Sequence, residues 1–480
     1  MKLSEKYSRN YKKIKKILLK YDDKIKINKK IYTFILSVLI SWFIYQTVFF
    51  ALNLKHNVVP DEPYHIQFIK IYRDKISPII NHQDNNFVFG DITRSQSYFY
   101  HYLLGMISKL FQLDKNFITY LRLINISFSL LTLITFIKTI DLLTKDRFIK
   151  ISSIIMLSNT LTFTILSGGV SYDNLLNLLS ILSVYFFIKF AKEEHVKNLI
   201  LFFVISLSAS IVKISFIPIL IVLSIIMFIK TCRISDFKKK IIKQIKKYNK
   251  FFIIFLSLLF VISLSLFIER HVINLIKFGT INPSCVQIHS IEECKVDLQY
   301  IRDNSFEIKN LKPNILNFIM YFNKWKLLIL DSTFGFHGHK YIPVNQLFIY
   351  ILSFIILISY SSFIRHTRYR KDKLNYFLIF LSSFYILFIF VYVNYLNYLK
   401  YELIELAVNG RYIFPVITIV FYLINEYIIR GIKINLLKIL YIFFLLVIFI
   451  KFGFFWFTEQ TNSEWFIDDK PNYVILDLNK

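Results

Sequence analysis

The sequence is poor in the residues that loop-rich or covalently stapled folds depend on, with three cysteines, ten glycines and nine prolines in 480 positions. Three cysteines exclude a disulfide scaffold, although Cys285 and Cys294 fall close together in one polar loop and can pair if that loop is extracytoplasmic. Scarce glycine, with no internal repeat, argues against the repeat-built, glycine-broken spans of secondary transporters. Acidic residues are also few: 31 Asp and Glu against 59 Lys and Arg leave a formal charge of +28. That surplus could serve nucleic acid, but the lysines sit in short segments between apolar blocks rather than along one amphipathic face. They read as membrane-topology signals, with no nucleic-acid partner implied.

What the sequence has in abundance is uninterrupted apolar run. Stretches such as 31–53, 251–268, 346–364, 376–393 and 437–457 are nearly free of charge, and each is long enough to cross roughly 30 Å of hydrocarbon as helix. About a dozen Lys and Arg in residues 1–30 precede an apolar stretch too long for a signal peptide. The first run is therefore expected to be a retained span behind a basic cytoplasmic segment. The richness in Lys, Ile, Asn and Phe hints at an AT-rich bacterial genome. A multi-pass protein of the cell membrane, in bacteria the cytoplasmic membrane, is the expectation.

Between Lys55 and Asn116 the chain is mixed, with short helical candidates at about 61–75 and 97–111. The second reaches only about 22 Å as helix, so it is expected to lie on the outer surface rather than to cross. The spans then run near 31–53, 118–143, 150–167, 173–190, 198–212, 215–231, 251–268, 346–364, 374–394, 412–429 and 437–457, about eleven in all. The basic runs "FKKKIIKQIKKYNK" and "RHTRYRKDK" fall inside, as the positive-inside rule requires. The domain reading is a basic segment 1–30, a polytopic domain 31–457 with outer loops 55–117 and 269–345, and an outer tail 458–480.

Function is sought on the outer face. "PDEPYH" places Asp61 and Glu62 between Pro60 and Pro63, with Tyr64 and His65 following, just beyond the first span. Carboxylates at a membrane edge suit general-base work; the plainer alternative makes Asp61 a helix N-cap. "SGGVSYDNLL" puts Asp173, "SASIVKISFIP" Lys213 and "AVNGRYIFP" Arg411 at outer span ends, and Arg122 opens another. Such groups face a cavity or partner, and a basic pair suits phosphate; the alternative is snorkelling at helix ends. His337 and His339 in "LDSTFGFHGHKYIP" make a poor metal site without a nearby cysteine or carboxylate, so the loop is expected to pack aromatics over a cavity.

These motifs together resemble the GT-C superfamily of membrane glycosyltransferases, and most closely an uncharacterised bacterial branch with a "PDEP.H" start and a late "GRY..P" motif. The likeness rests on the acidic pair after the first span, "SQSYFYHYLLGMISKLF", "YLRLIN", "SYDNLL", "FGF" and "NGRYIFP", and covers about residues 30–430. The superfamily includes protein mannosyltransferases and the aminoarabinose transferase of lipid A. Two departures stand out: Gln96-Ser97-Tyr98-Phe99-Tyr100 replaces a "PPLYY"-like run, and the first loop has no "DXD" signature.

The resemblance implies an all-α membrane fold with juxtamembrane helices in the first outer loop. It also implies a polyprenyl-phosphate sugar donor, a glycan, lipid or protein acceptor, membrane lipids as surroundings, and no obligatory metal or other cofactor. Asp61 would take the acceptor's proton with Glu62 holding the acceptor or sharing that role, while Lys213 and Arg411 steady the departing phosphate. Arg122, Asp173, Tyr412 and His65 would complete the substrate site. A polysaccharide polymerase or ligase, or a flippase for lipid-linked sugars, is the alternative.

Overall fold

The computed structural model describes residues 27–80, 91–94, 97–114, 116–234, 236–309, 318–367, 372–401, 404 and 408–467. Most of the basic segment 1–30, all but the first part of the tail 458–480, and parts of both outer loops lie outside these residues.

The described chain is helical almost throughout. Its elements are α1 Lys29–Asn53, α2 Glu62–Arg73, α3 Phe99–Leu110, α4 Phe117–Leu143, α5 Arg147–Ser158, α6 Leu161–Ser167, α7 Tyr172–Glu193, α8 Val196–Val212, α9 Ile214–Cys232, α10 Phe237–Lys247 and α11 Lys250–Phe278. Short turns Cys285–Ile288 (α12) and Ile291–Cys294 (α13) follow, then α14 Leu298–Lys309 and α15 Phe318–Phe334. Strands Phe336–His337 (β1) and Tyr341–Ile342 (β2) pair antiparallel as a hairpin. Four long helices follow: α16 Gln346–Thr367, α17 Lys373–Tyr401, α18 Gly410–Gly431 and α19 Asn435–Gln460.

Among the described residues, nine helices are long and apolar enough to cross a membrane, or ten if the bent pair α5 and α6 counts as one span. Val196–Val212 is apolar but shorter. The span expected near 150–167 is a bent pair rather than one straight helix: the chain breaks at Asn159 and Thr160, bending by 66°. Local side chains supply what the break takes away, because Asn159 Nδ2 donates to Ile155 O and Thr160 Oγ1 to Met156 O. Four of the helices start on a polar side-chain cap: Asn28 on Ile31 N, Asp146 on Phe148 N, Asn249 on Phe251 N and Asp372 on Leu374 N.

The centre of the bundle is α7, packed most extensively on α8 and α4, with α18 beside it. Leu133 and Phe136 of α4, Ile181 and Val184 of α7, and Ile417 and Phe421 of α18 belong to one buried cluster. The outer helices turn large apolar groups outward instead: Phe251 is 77% exposed, Phe354 62% and Phe443 63%. An apolar exterior around a core that also carries buried polar groups is what a helix bundle in lipid requires. The protein is a multi-pass membrane protein of all-α class.

Contacts sort the polar connections into two ends. At one, Arg147 reaches Ile27 O, Glu194 pairs with Lys230 and Lys240, Lys192 reaches Leu142 O, and Lys438 approaches Asp146. That end collects the connections 144–149, 191–197, 232–250 and 430–436, including basic α10. At the other end lie α2, α3, the turn 168–171, Lys213, the hairpin and the start of α18. Helices α2 and α3 have twelve residues each, which is about 18 Å and too short to cross.

Candidate functional site

Local structure delivers four charged side chains to one place. Ser171 caps α7 through Asp173 N, which fixes Asp173 at the helix mouth, and Asn409 Oδ1 accepts from Arg411 N to start the turn that opens α18. Lys213 ends α8 in extended backbone. Asp61 precedes α2 with φ of 59°, a left-handed conformation rare outside glycine, asparagine and aspartate. It holds the N-cap position without a side-chain cap bond, so the capping alternative does not describe its carboxylate.

That carboxylate turns to Arg411 instead, with Nη2 to Oδ2 at 2.7 Å across 350 residues of sequence. Lys213 Nζ donates to Asp173 Oδ1 at 2.7 Å, and Arg411 Nη1 stands 3.7 Å from Asp173 Oδ2. Tyr172 and Tyr412 flank the ammonium, each ring centroid 4.5 Å from Lys213 Nζ. Two carboxylates and two cations balance in charge, and three of the four groups are buried. Only Asp61 is open, its side chain 43% exposed. Partial burial pushes the Asp61 carboxyl up, but Arg411 and, behind it, Lys213 more than reverse this and hold it below the ordinary carboxylate range.

The balance leaves donors over. Arg411 Nε and Nη1 and Asp173 Oδ2 are buried without a hydrogen-bond partner among the described residues. A buried unsatisfied group costs about 1–3 kcal/mol, and more when charged. Such a cost is expected where a ligand completes the set.

Glu62, adjacent to Asp61 in sequence, is placed elsewhere. It is fully buried and accepts from Arg122 Nε at 2.8 Å, Arg122 Nη2 at 2.7 Å and Val170 N at 2.9 Å. Arg122 also donates to Ala51 O and Leu54 O at the end of α1. The pair is a clamp joining α1, α2, α4 and the turn before α7. Both Glu62 oxygens are engaged, so the structure does not bring Glu62 or Arg122 into the Asp61 cluster.

His65, one turn after Asp61, is buried against Tyr172, with ring centroids 4.5 Å apart, and its Nδ1 lies 2.9 Å from His101 Nε2. Burial, with each ring beside the other, pushes His65 well below its ordinary value, and burial alone takes His101 down to about 3 despite its bond to the Ser97 backbone. Both shifts favour the neutral ring.

The hairpin braces Arg411 from the other side. His337 O accepts from Asn409 Nδ2, and Gly410 N donates to Ser332 Oγ at 2.7 Å. Gly410 is a close-approach position, where a Cβ would lie 2.3 Å from Thr333 Oγ1 and 2.4 Å from its backbone N. Asp331 organises the hairpin, accepting from Tyr341 Oη at 2.8 Å and Val344 N at 2.6 Å and bonded to His337 at 2.7 Å. Burial would raise the Asp331 carboxyl, but these bonds hold it below its usual value. Asp331, His101 and Tyr172 carry no signal in the sequence beyond their neighbours; the spacing of Asp331 and His337 is the nearest thing to one. Among the described residues, no group of three or more His, Cys, Asp or Glu could hold a metal ion.

Close to this end, Cys285 and Cys294 form a disulfide. The segment they close meets the first outer loop where His289 stands 3.4 Å from Asp91. Comparison with protein-family models, curated proteins and solved structures finds no match for the chain.

Proposed function

We propose that the protein is a membrane glycosyltransferase that moves a sugar from a polyprenyl-phosphate donor to an extracytoplasmic glycan, lipid or protein, with inversion at the anomeric carbon. The observation that carries the reading is the Asp61–Arg411 pair, an exposed carboxylate on a buried guanidinium whose Nε and Nη1 make no hydrogen bond among the described residues. Ionised oxygen that can accept a proton and cations that can hold a leaving phosphate are the two requirements of such a displacement. The motif resemblance to the GT-C superfamily supports it.

In this reading the bundle crosses eleven times, counting α8 and the bent pair α5–α6, with α2 and α3 lying on the outer surface. The basic end faces the cytoplasm by the positive-inside rule, and the disulfide sits on the oxidising side. The donor phosphate takes Arg411 Nε and Nη1 and competes with Asp61 for the guanidinium. Drawing Arg411 away removes the cation that depresses Asp61 and makes its carboxylate a better base only when donor is bound. Asp61 then takes the acceptor hydroxyl's proton as that oxygen attacks the anomeric carbon, and the phosphate leaves onto Arg411 and Lys213. Asp173 holds Lys213 in place, Tyr172 and Tyr412 shield it from water, and Glu62 with Arg122 fixes the platform.

A flippase for lipid-linked sugars is the second reading, and the broken helix α5–α6 favours it, since interrupted helices mark transporters. One experiment separates the two: purified protein, a panel of radiolabelled polyprenyl-phosphate sugars, and Asp61→Asn beside wild type. Glycosyl transfer predicts a fall in turnover of roughly 10² to 10⁴ with donor binding kept or tightened, because asparagine competes less for Arg411. Near-normal transfer by Asp61→Asn would remove Asp61 from the mechanism, and lipid translocation without any transfer would favour the flippase.

A further inference from the structure

Six of the eleven residues of α10 are lysine, and the place of this helix in the chain limits where those charges can be. It joins two apolar helices long enough to span, α9 ending at Cys232 and α11 beginning at Lys250. The connections on either side, 233–236 and 248–249, reach only about 14 Å and 7 Å even when fully extended. So α10 stays at the headgroup layer. Its orientation there is set by the turn between α7 and α8: Gln244 Oε1 accepts from Val196 N at 2.8 Å, Gln244 Nε2 donates to Glu194 O at 3.2 Å, and Lys240 Nζ meets Glu194 Oε2 at 2.7 Å.

With Lys240 and Gln244 turned to the bundle, helical spacing divides the rest of the helix into two stripes. Lys239, Lys243 and Lys246 recur at i, i+4 and i+7, with Lys247 one turn beyond Lys243; Ile242 and Ile245, at i and i+3, lie on another side. Both stripes are open. Ile242 is 46% exposed and Ile245 39%; Lys243, Lys246 and Lys247 have no ion pair among the described residues, and Lys239 has only Asp236 at 3.2 Å. The first turn of α11, which follows, is bare as well, with Phe251 and Ile254 exposed. Isoleucines bared beside such a span belong in the acyl boundary, which sets the lysine stripe level with the phosphates. An acidic protein would meet the lysines but leave Ile242 and Ile245 in water.

We propose that α10 is a binding site for anionic phospholipid: Ile242 and Ile245 enter the acyl boundary of the leaflet on this side, and Lys239, Lys243, Lys246 and Lys247 hold its headgroup phosphates. The chemistry recognised is a lipid phosphodiester with net negative charge. A zwitterionic headgroup carries its own cation beside the phosphate and gains little. The site lies at the opposite end of the bundle from Asp61 and Arg411 and is independent of the transfer reading. What the lipid secures is the turn that joins α7 and α8, the helices that bear Asp173 and Lys213.

The test uses the full chain in phosphatidylcholine nanodiscs that carry a spin-labelled phosphatidylglycerol or a spin-labelled phosphatidylcholine, with electron paramagnetic resonance reading how much of each is held by the protein. Wild type should prefer phosphatidylglycerol. The variant K239Q/K243Q/K246Q/K247Q should lose most of that preference, while K29Q/K30Q/K145Q/K433Q, which neutralises four exposed lysines elsewhere at the same end, should keep it. Equal preference in wild type and the α10 variant overturns the proposal, and so does equal loss in the control variant, which would make the preference a property of total charge. A second label needs no lysine change and decides the question even if the α10 variant fails to fold: in a Cys232→Ser background, Ile245→Cys bearing a nitroxide should be relaxed by oxygen dissolved in the bilayer and not by a water-soluble nickel chelate. Relaxation by the chelate instead would place the isoleucine stripe in water, overturn the lipid site and leave the lysines to an acidic protein.

Discussion

Replacing Glu62 by glutamine is expected to unfold what replacing Asp61 by asparagine leaves standing, although the two residues are neighbours and the changes are chemically alike. Glu62 accepts three hydrogen bonds with its partner Arg122 only 1% exposed. Glutamine keeps one acceptor oxygen and turns an NH₂ toward the guanidinium, which leaves the Arg122 charge buried and uncompensated. Breaking one side of such a pair costs about 3–5 kcal/mol. Asp61 has one side-chain bond and 43% exposure, and asparagine keeps an acceptor for Arg411, whose charge Asp173 still faces at 3.7 Å, so the exchange should cost less, about 1–3 kcal/mol. Heat ramps in detergent followed by size-exclusion of the surviving monomer measure both. A double variant, Glu62→Met with Arg122→Leu, should recover much of the loss, since an apolar pair of similar volume removes the stranded charge. Wild-type melting for Glu62→Gln would refute the clamp, and collapse of Asp61→Asn would refute the division of roles.

Gly410→Ala forces a methyl against Thr333 backbone; it should destabilise by about 1–3 kcal/mol and, in the transfer assay, weaken donor binding because Arg411 moves with its turn. The buried imidazoles predict acid sensitivity. His101 titrates near 3 in the fold against 6.5 ordinarily, so the unfolded chain takes the proton first as pH falls; the contribution is intact above about 6.5 and declines toward 3, by about 2 kcal/mol at pH 5. His101→Phe should flatten that decline in part, His65 titrating in the same direction, and an unchanged melting profile between pH 7 and 5 would contradict it. Loss of the Cys285–Cys294 bridge, which spans nine positions, should cost about 2–3 kcal/mol; mass spectrometry of alkylated, unreduced protein should find neither thiol free.

The helices were legible because hydropathy is averaged over a whole span, and an apolar run of twenty residues has few other fates. The charged quartet was legible for the opposite reason, since Asp173, Lys213 and Arg411 are single ionisable groups at the ends of such runs and each needs a partner. What could not be read was direction. Asp61 and Glu62 part company because one residue adopts a left-handed φ, a choice made by the packing of α2 on its neighbours rather than by the motif. The break at Asn159 was equally hidden, because "SNTLT" offers hydroxyls and an amide that satisfy the backbone locally and scarcely dent the average hydropathy. His101 lay beyond reach because nothing in the sequence announces that its ring meets His65 across 36 residues.

The interrupted helix bears on how the chain is made. Its exposed backbone is covered from two directions: Trp42 Nε1 and Gln46 Nε2 of α1 reach Asn159 Oδ1 and Ser158 O, and Gly453 of α19 comes so close that a methyl there would lie 2.6 Å from Asn159 O. During synthesis from the amino end, α1 is already in the bilayer when α5 and α6 emerge, so the first cover is in place at once. The second arrives only with the final described helix. Until then the Asn159 carbonyl lacks the backbone that packs over it in the finished fold. The break is thus closed by the first and the last of the long helices together, and a chain ended before α19 keeps only the first of its two covers.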